Sequence, residues 1–384
     1  MSEMYVSGQS GVGRLIEALA ARGHRVIGPI VRNQALVYDE IEGVEDLPKG
    51  WTDLQEPGKY RLEHRGGEKL FGYVVGPTTW KQYLNPPEEV LWSGTIGPNG
   101  FQADPPPEPP SYAFFGVRPC ELAALGILDN VYTSTDGVPT FGGYTATREK
   151  AFIVAVNCSD PGGNCFCVSM DTGPTAKAGY DISITEVAHD GNMRYLLSSG
   201  SEAGDDVLAS LEGLEEASPE EVEAGDEVLA RAAEMMGKEL DTTDLPDLLK
   251  GNVLNPRWES IADRCLACAN CTLVCPTCFC NTVDDNLSLD GTHATRTRKW
   301  DSCFTLGFSY MHGQPMREAV SSRYRQWITH KLATWVDQFG EMGCVGCGRC
   351  ITWCPVGIDI THEAGAIRRG DLRDTQVGVG GQTS

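Results

Sequence analysis

CLACANCTLVCP, residues 265–276, and CVGCGRCITWCP, residues 344–355, are one pattern written twice: three cysteines spaced by two residues, a fourth three residues further on, and a proline. Three thiolates at that spacing on a tight loop converge on three corners of one inorganic cubane. The fourth cysteine opens a helix that points elsewhere, and its proline fixes the departing backbone, so it serves the neighbouring centre. The pattern therefore predicts two [4Fe–4S] clusters, one on Cys265, Cys268, Cys271 and Cys354 and the other on Cys344, Cys347, Cys350 and Cys275. Zinc is the competing reading, because CxxC pairs also build tetrahedral sites. It requires neither the third cysteine at this spacing nor the trailing proline, and it does not account for the repetition.

Composition narrows the function classes. The chain has 384 residues, 53 acidic and 31 basic side chains and a formal net charge of −22. An acidic surface of this kind excludes phosphate neutralisation, and with it nucleic acid as a partner. The most continuous apolar stretch, Ala151–Val156, falls far short of the roughly 20 residues of a membrane span. Fifteen cysteines, an odd number, cannot all pair. Met1–Leu19 lacks a basic segment followed by an apolar core, so the expected setting is cytoplasmic and the cysteines are read as metal ligands rather than cross-links.

Working outward, the fold class is read as α+β: an N-terminal α/β region followed by a largely α-helical, ferredoxin-type dicluster domain. Residues 1–110 form the first α/β region, in which Leu15, Ile16, Leu19 and Ala20 share a helical face and Val26–Ile27 begin a strand. Ser10 is read as that helix's cap. Leu36–Tyr38 and Leu70–Val75 are further extended runs, and Asp104–Pro110, DPPPEPP, is an extended linker. Residues 111–200 form a second α/β region with strands at Tyr112–Val117 and Phe152–Val156. Residues 201–250 form an acidic helical segment, with sixteen acidic side chains between 202 and 249 against Arg231 and Lys238; its acidity is assigned to solubility. Residues 251–384 form the dicluster domain. Its insert, 276–343, carries a helix over Ser321–Phe339, and residues 291–331 hold seven Lys or Arg against two acids, cations suited to anionic clusters.

Seven cysteines remain. Cys120 follows a strand at the start of a helix, where the macrodipole favours a thiolate. Cys158, Cys165 and Cys167 lie in NCSDPGGNCFC, also after a strand. Four cysteines at the ends of two strands make a candidate third cluster site, with zinc and then free thiols as alternatives. Cys278, Cys280 and Cys303 have no assigned role and are read as buried thiols. No catalytic residues are expected. Gly8–Arg14 lacks the Lys-Ser/Thr ending of a phosphate loop, and there is no dinucleotide fingerprint or paired-histidine metal motif.

The set GVRPCELAALGILD, NCFC, CLACANCTLVCPTCFC, WDSCF and GCVGCGRCITWCPVGIDI resembles the iron–sulfur β subunit of soluble NAD(P)-linked [NiFe] hydrogenases (sulfhydrogenases). It is equally similar to the A subunit of anaerobic sulfite reductase. The resemblance covers about residues 65 to 365. It implies an electron-transfer subunit relaying single electrons between a flavin subunit that handles NAD(P)H and the [NiFe] hydrogenase small and large subunits, or sulfite reductase subunits. It also supports the third cluster, since the RPC and NCFC cysteines match family positions. A standalone iron–sulfur redox sensor is the reading from a different class; several clusters suit conduction better than sensing.

Overall fold

The computed structural model of the protein describes residues 4–133 and 142–371. Its centre is an eight-stranded mixed sheet. Tyr112–Val117 and Phe152–Val156 lie side by side and parallel in the middle, buried along nearly their whole length. Arg25–Arg32 and Ile182–His189 extend the parallel core on either side, and antiparallel strands close both edges. Runs this continuously apolar suit a sheet covered on both faces. Phe115, Val154 and Val156 pack beneath the helix Gln9–Ala21, whereas Phe114, Val117, Ile153 and Ala155 pack beneath the helix Pro119–Tyr132. Leu15, Ile16 and Leu19 of the first helix are fully buried, each contributing about 1.5–3 kcal/mol. The helix starts at Gln9 after Gly8, so Ser10 lies inside the first turn and is not the cap.

Leu70–Val75 is buried but forms no strand. Its backbone is taken by side chains instead: Leu70 N donates to Glu186 at 2.6 Å, and Arg118 donates to the carbonyls of Phe71 and Tyr73 at 2.8 and 2.6 Å. Asp104–Pro110 has neither helix nor strand, as its prolines dictate. The acidic segment forms helices at Glu202–Ala209, Pro219–Glu234 and Leu245–Gly251. Ser218 and Glu221 bond each other's backbone N–H groups at 3.2 and 3.0 Å to start the longest of them.

The cysteine-rich region is mixed rather than largely helical. Its insert contributes a hairpin, Asn281–Leu287 and His293–Trp300, which pairs with Glu88–Gly97 and Gly100–Ala103 in an antiparallel sheet. The Asp290–Gly291 turn, with Gly291 at φ +72°, supplies the local signal, and the β-branched residues Thr282, Val283, Thr295 and Thr297 suit extended backbone. The expected helix runs from Val320 to Phe339, but residues His330–Thr334 form a π-helical turn within it. Such turns concentrate at functional positions.

Candidate metal-cluster centre

Each cysteine run folds as a loop leading into one helical turn, Asn270–Leu273 in the first and Arg349–Thr352 in the second, with the fourth cysteine just beyond. The loops need left-handed backbone at matching places: Ala267 and Ala269 (φ +50° and +67°), and Gly346 and Gly348 (φ +64° and +72°). Cys265, Cys268, Cys271 and Cys354 line one pocket with Tyr324, Trp327 and Phe304, and Cys350 forms part of its wall. The fourth cysteine of the second run thus stands among the first three of the other. Cys275 in turn lies beside Cys344, Cys347 and Cys350. A buried ion pair clamps the two runs together: Arg257, just before the first, meets Glu363, just after the second, at 2.7 Å, and Arg264 meets the same carboxylate at 2.6 Å.

The third group also assembles. Cys120 opens the helix after Tyr112–Val117, and Cys158 follows the neighbouring parallel strand Phe152–Val156, so both sit at the strands' carboxyl ends, where open α/β sheets place ligands. Cys120, Cys158, Cys165 and Cys167 are all buried, and each electrostatically feels others of the set. Cys120 and Cys167 also neighbour Cys347 of the second run. The thiol groups therefore form a row from Cys120 through Cys347 and Cys350 to Cys271 and Cys268. Exposure falls along it: Cys268 is exposed, whereas the Cys120 group is enclosed.

The electrostatics fit thiolate-bound clusters. Burial pushes the thiols of Cys120, Cys165, Cys271 and Cys350 far above the ordinary thiol range, with neighbouring thiols adding to the effect, and lifts Cys167 and Cys344 to about 12. Without a metal these groups would stay neutral at pH 7; as ligands they must be thiolates, so the iron supplies the missing positive charge. Buried cations stand ready on the other side. Lys331, carried inward on the π-helical turn, donates to Thr277 Oγ1 at 2.6 Å and Gly343 O at 2.9 Å, with no carboxylate partner among the described residues. Burial alone would lower its affinity for a proton, yet Cys275, Cys278 and Cys344 hold it well above the usual lysine range. Arg118 Nη1 lies 3.9 Å from Cys158 Sγ, and the guanidinium also donates to the carbonyls of Asn157, Phe71 and Tyr73. Backbone N–H groups of Ala267 and Ile358 point at Cys265 Sγ and Cys354 Sγ at 3.4 and 3.3 Å, donors that stabilise the reduced, more negative state of a bound cluster.

Several contributors were not singled out from sequence. Glu121, next to Cys120 in RPCE, pairs at 2.6 Å with Arg349, which lies between Cys347 and Cys350; both are buried. Lys81 reaches Cys275 O and Cys278 O at 3.1 and 2.9 Å. A charged residue inside a cysteine motif was the available signal for Arg349. For Lys81 the signal was the Trp80–Lys81 pair after Gly76–Pro77, which by sequence could line a site or end a strand and reads better as a strand end; the structure places it against the cysteine loop instead.

Comparison with known proteins agrees with this chemistry. The family described as "4Fe-4S dicluster domain" matches residues 264–358. Sulfhydrogenase 2 subunit beta of Pyrococcus furiosus is 29% identical over 349 residues, spanning 90% of this chain and 93% of that protein. Two solved structures of serine palmitoyltransferase, one of them from S. paucimobilis, overlap 58% of this chain and 57% of theirs at 11% identity, with TM-scores of 0.18 and 0.16, too low to indicate a shared fold. No helix among the described residues is long and apolar enough to cross a membrane. The chain is thus similar along most of its length to a sulfhydrogenase beta subunit, and its residues 264–358 match a 4Fe–4S dicluster domain.

Proposed function

We propose that this chain is the electron-relay subunit of an oxidoreductase complex, passing single electrons between a flavin subunit that handles NAD(P)H and a [NiFe] hydrogenase module. Cys265, Cys268, Cys271 and Cys354 hold one [4Fe–4S] cluster, Cys344, Cys347, Cys350 and Cys275 a second, and Cys120, Cys158, Cys165 and Cys167 a third. Bound clusters of this type take up and release one electron each without moving protein atoms. The chain's own residues hold the thiolates at fixed spacing, shield the inner groups from water and set the local charge through Lys331 and Arg118. The observation that carries the reading is the graded row of thiols from the exposed Cys268 to the enclosed Cys120 group.

The two ends of that row suit two partners. Around Cys268, Leu266, Leu273 and Val356 are 64%, 40% and 39% exposed, an apolar rim over one terminus. Beside the Cys120 group, Pro119, Leu122, Met170 and Thr172 line an open cleft of about 640 Å3. Nickel in the co-purified complex identifies the hydrogenase partner; sirohaem in its place identifies the sulfite reductase alternative.

Anaerobically purified complex should contain at least about twelve irons and twelve sulfides in this chain, the content of three cubanes. Cys165→Ala should remove about four irons and leave the C-terminal pair in place; an unchanged iron count sinks the third site. Stoichiometric zinc with little iron sinks the relay as a whole. Leu266→Asp, at the exposed rim, should slow electron exchange with the partner roughly tenfold, as for about 1.4 kcal/mol of lost docking energy, at unchanged iron content. Stopped-flow reduction of the complex reads this out, and an unaltered rate places the docking surface elsewhere.

A further inference from the structure

The helix that begins at Val320 brings two polar aromatic side chains to the first cysteine run. Tyr324 and Trp327 stand three residues apart, hence on one helical face, and both line the pocket of Cys265, Cys268, Cys271 and Cys354. Phe304 completes an aromatic wall, with the three ring centres 5.4, 6.0 and 6.2 Å apart. Arg323 fixes the third ring by donating to Phe304 O at 2.6 Å. Purely apolar side chains would keep water out of this pocket equally well, so the two polar atoms call for a separate cause.

Tyr324 Oη and Trp327 Nε1 are enclosed and make no hydrogen bond among the described residues. The two residues are 2% and 4% exposed, so solvent does not serve them either. A buried donor without an acceptor costs about 1–3 kcal/mol, and buried Tyr and Trp ordinarily find a partner. Glu363, whose carboxylate faces Tyr324, is held by Arg257 and Arg264 at 2.7 and 2.6 Å and accepts nothing from the hydroxyl. Asn270, the one amide at the pocket, is exposed and directs its Nδ2 to Trp353 O. The rest of the lining is cysteine, aromatic and apolar. Sulfur is the acceptor that this pocket offers.

We propose that Tyr324 Oη–H and Trp327 Nε1–H donate hydrogen bonds to sulfur of the [4Fe–4S] cluster on Cys265, Cys268, Cys271 and Cys354, and so raise its reduction potential. Reduction adds one negative charge to a cluster, and a donor aimed at its sulfur stabilises that charge. The two side chains join the N–H groups of Ala267 and Ile358, which point at Cys265 Sγ and Cys354 Sγ. For the relay the result is a bias: an electron in the row settles towards its exposed end, where a partner collects it. The inference rests on the relay reading in one respect, that this cluster is present.

The test is a redox titration of the intact complex, purified anaerobically and followed by electron paramagnetic resonance, with iron measured per chain. The signal that changes in Cys268→Ala belongs to this cluster. Tyr324→Phe and Trp327→Phe keep a ring in place and remove one donor each. Each should move the cluster's one-electron equilibrium about tenfold towards the oxidised form, a potential about 59 mV lower, with iron content and the other potentials unchanged. An unmoved potential in either variant overturns the proposal, and so does a Tyr324→Phe protein that melts higher with its potential unmoved, the mark of an orphaned hydroxyl. Should a variant shed iron, 3,5-difluorotyrosine at position 324 and a fluorinated tryptophan at position 327 decide: as stronger donors of nearly the same shape they should raise the potential, and an unmoved or lowered value overturns the proposal. Wild type with fewer than about eight irons and no signal that responds to Cys268→Ala removes the relay reading itself, whereas a cluster present at an unmoved potential removes this inference alone.

Discussion

Arg349→Met is expected to destabilise the holoprotein by about 3–5 kcal/mol, the usual cost of breaking a buried ion pair from one side, and to release iron from the centres on both sides of it. Arg349 donates to Glu121 Oε1 at 2.6 Å, to Gly76 O at 2.8 Å and to Thr78 O at 2.9 Å. Glu121 accepts in addition from Tyr38 Oη at 2.5 Å and Trp80 Nε1 at 3.1 Å. Both charged side chains are about 1% exposed, so the variant leaves a carboxylate in the interior with two neutral donors and no cation. The pair joins the helix carrying Cys120 to the loop carrying Cys347 and Cys350, which makes it the joint between the α/β sheet and the cluster region. Arg349→Lys should fail almost as badly, since a point charge cannot serve three acceptors in a planar fork. Glu121→Gln should be milder, because the amide keeps an acceptor for Tyr38 and Trp80 while the guanidinium retains two carbonyls. Thermal midpoint and iron retention measure the effect; an Arg349→Met protein with both unchanged contradicts this account.

What could be read in the sequence was whatever depended on short-range spacing. The cysteine runs, the central strands Tyr112–Val117 and Phe152–Val156, and the amphipathic helices of the acidic segment all announce themselves within a dozen residues. Leu70–Val75 did not, because its backbone partners, Arg118 and Glu186, lie far along the chain. The hairpin of the insert was missed for a related reason. Its charged residues, such as Arg296 bonded to Asp285 at 2.6 Å, give weak hydrophobic alternation, and its partner strand Glu88–Gly97 lies some two hundred residues earlier. Buried cations such as Lys81 and Lys331 look like surface residues in any local window. Only the fold places them against thiols.

Gly346→Ala is expected to destabilise by about 2–5 kcal/mol, whereas Ala267→Gly, at the matching place in the first run, should stay within about 1 kcal/mol of wild type. The two residues have the same handedness, φ +64° and +50°, so the left-handed conformation itself accounts for only about 1–2 kcal/mol. The asymmetry comes from what lies outside the loop. A Cβ on Gly346 would sit 2.6 Å from the backbone of Phe166 and Cys167, and one on Gly348 would sit 2.4 Å from Asn164 O. Backbone cannot rotate aside as a flexible side chain can, so the NCFC loop must be pushed off the second run, breaking the 2.8 Å bond from Phe166 N to Gly346 O. Ala267 meets no such demand, and its run tolerates methyl groups at both left-handed positions. The lost contact should fall on the centre built from Cys165 and Cys167: Gly346→Ala loses about four irons before it loses the rest, while Ala267→Gly keeps them all. Iron content along a denaturation series separates the two. If both variants lose iron together and at the same midpoint, the contact between the NCFC loop and the second cysteine run is not what selects glycine there.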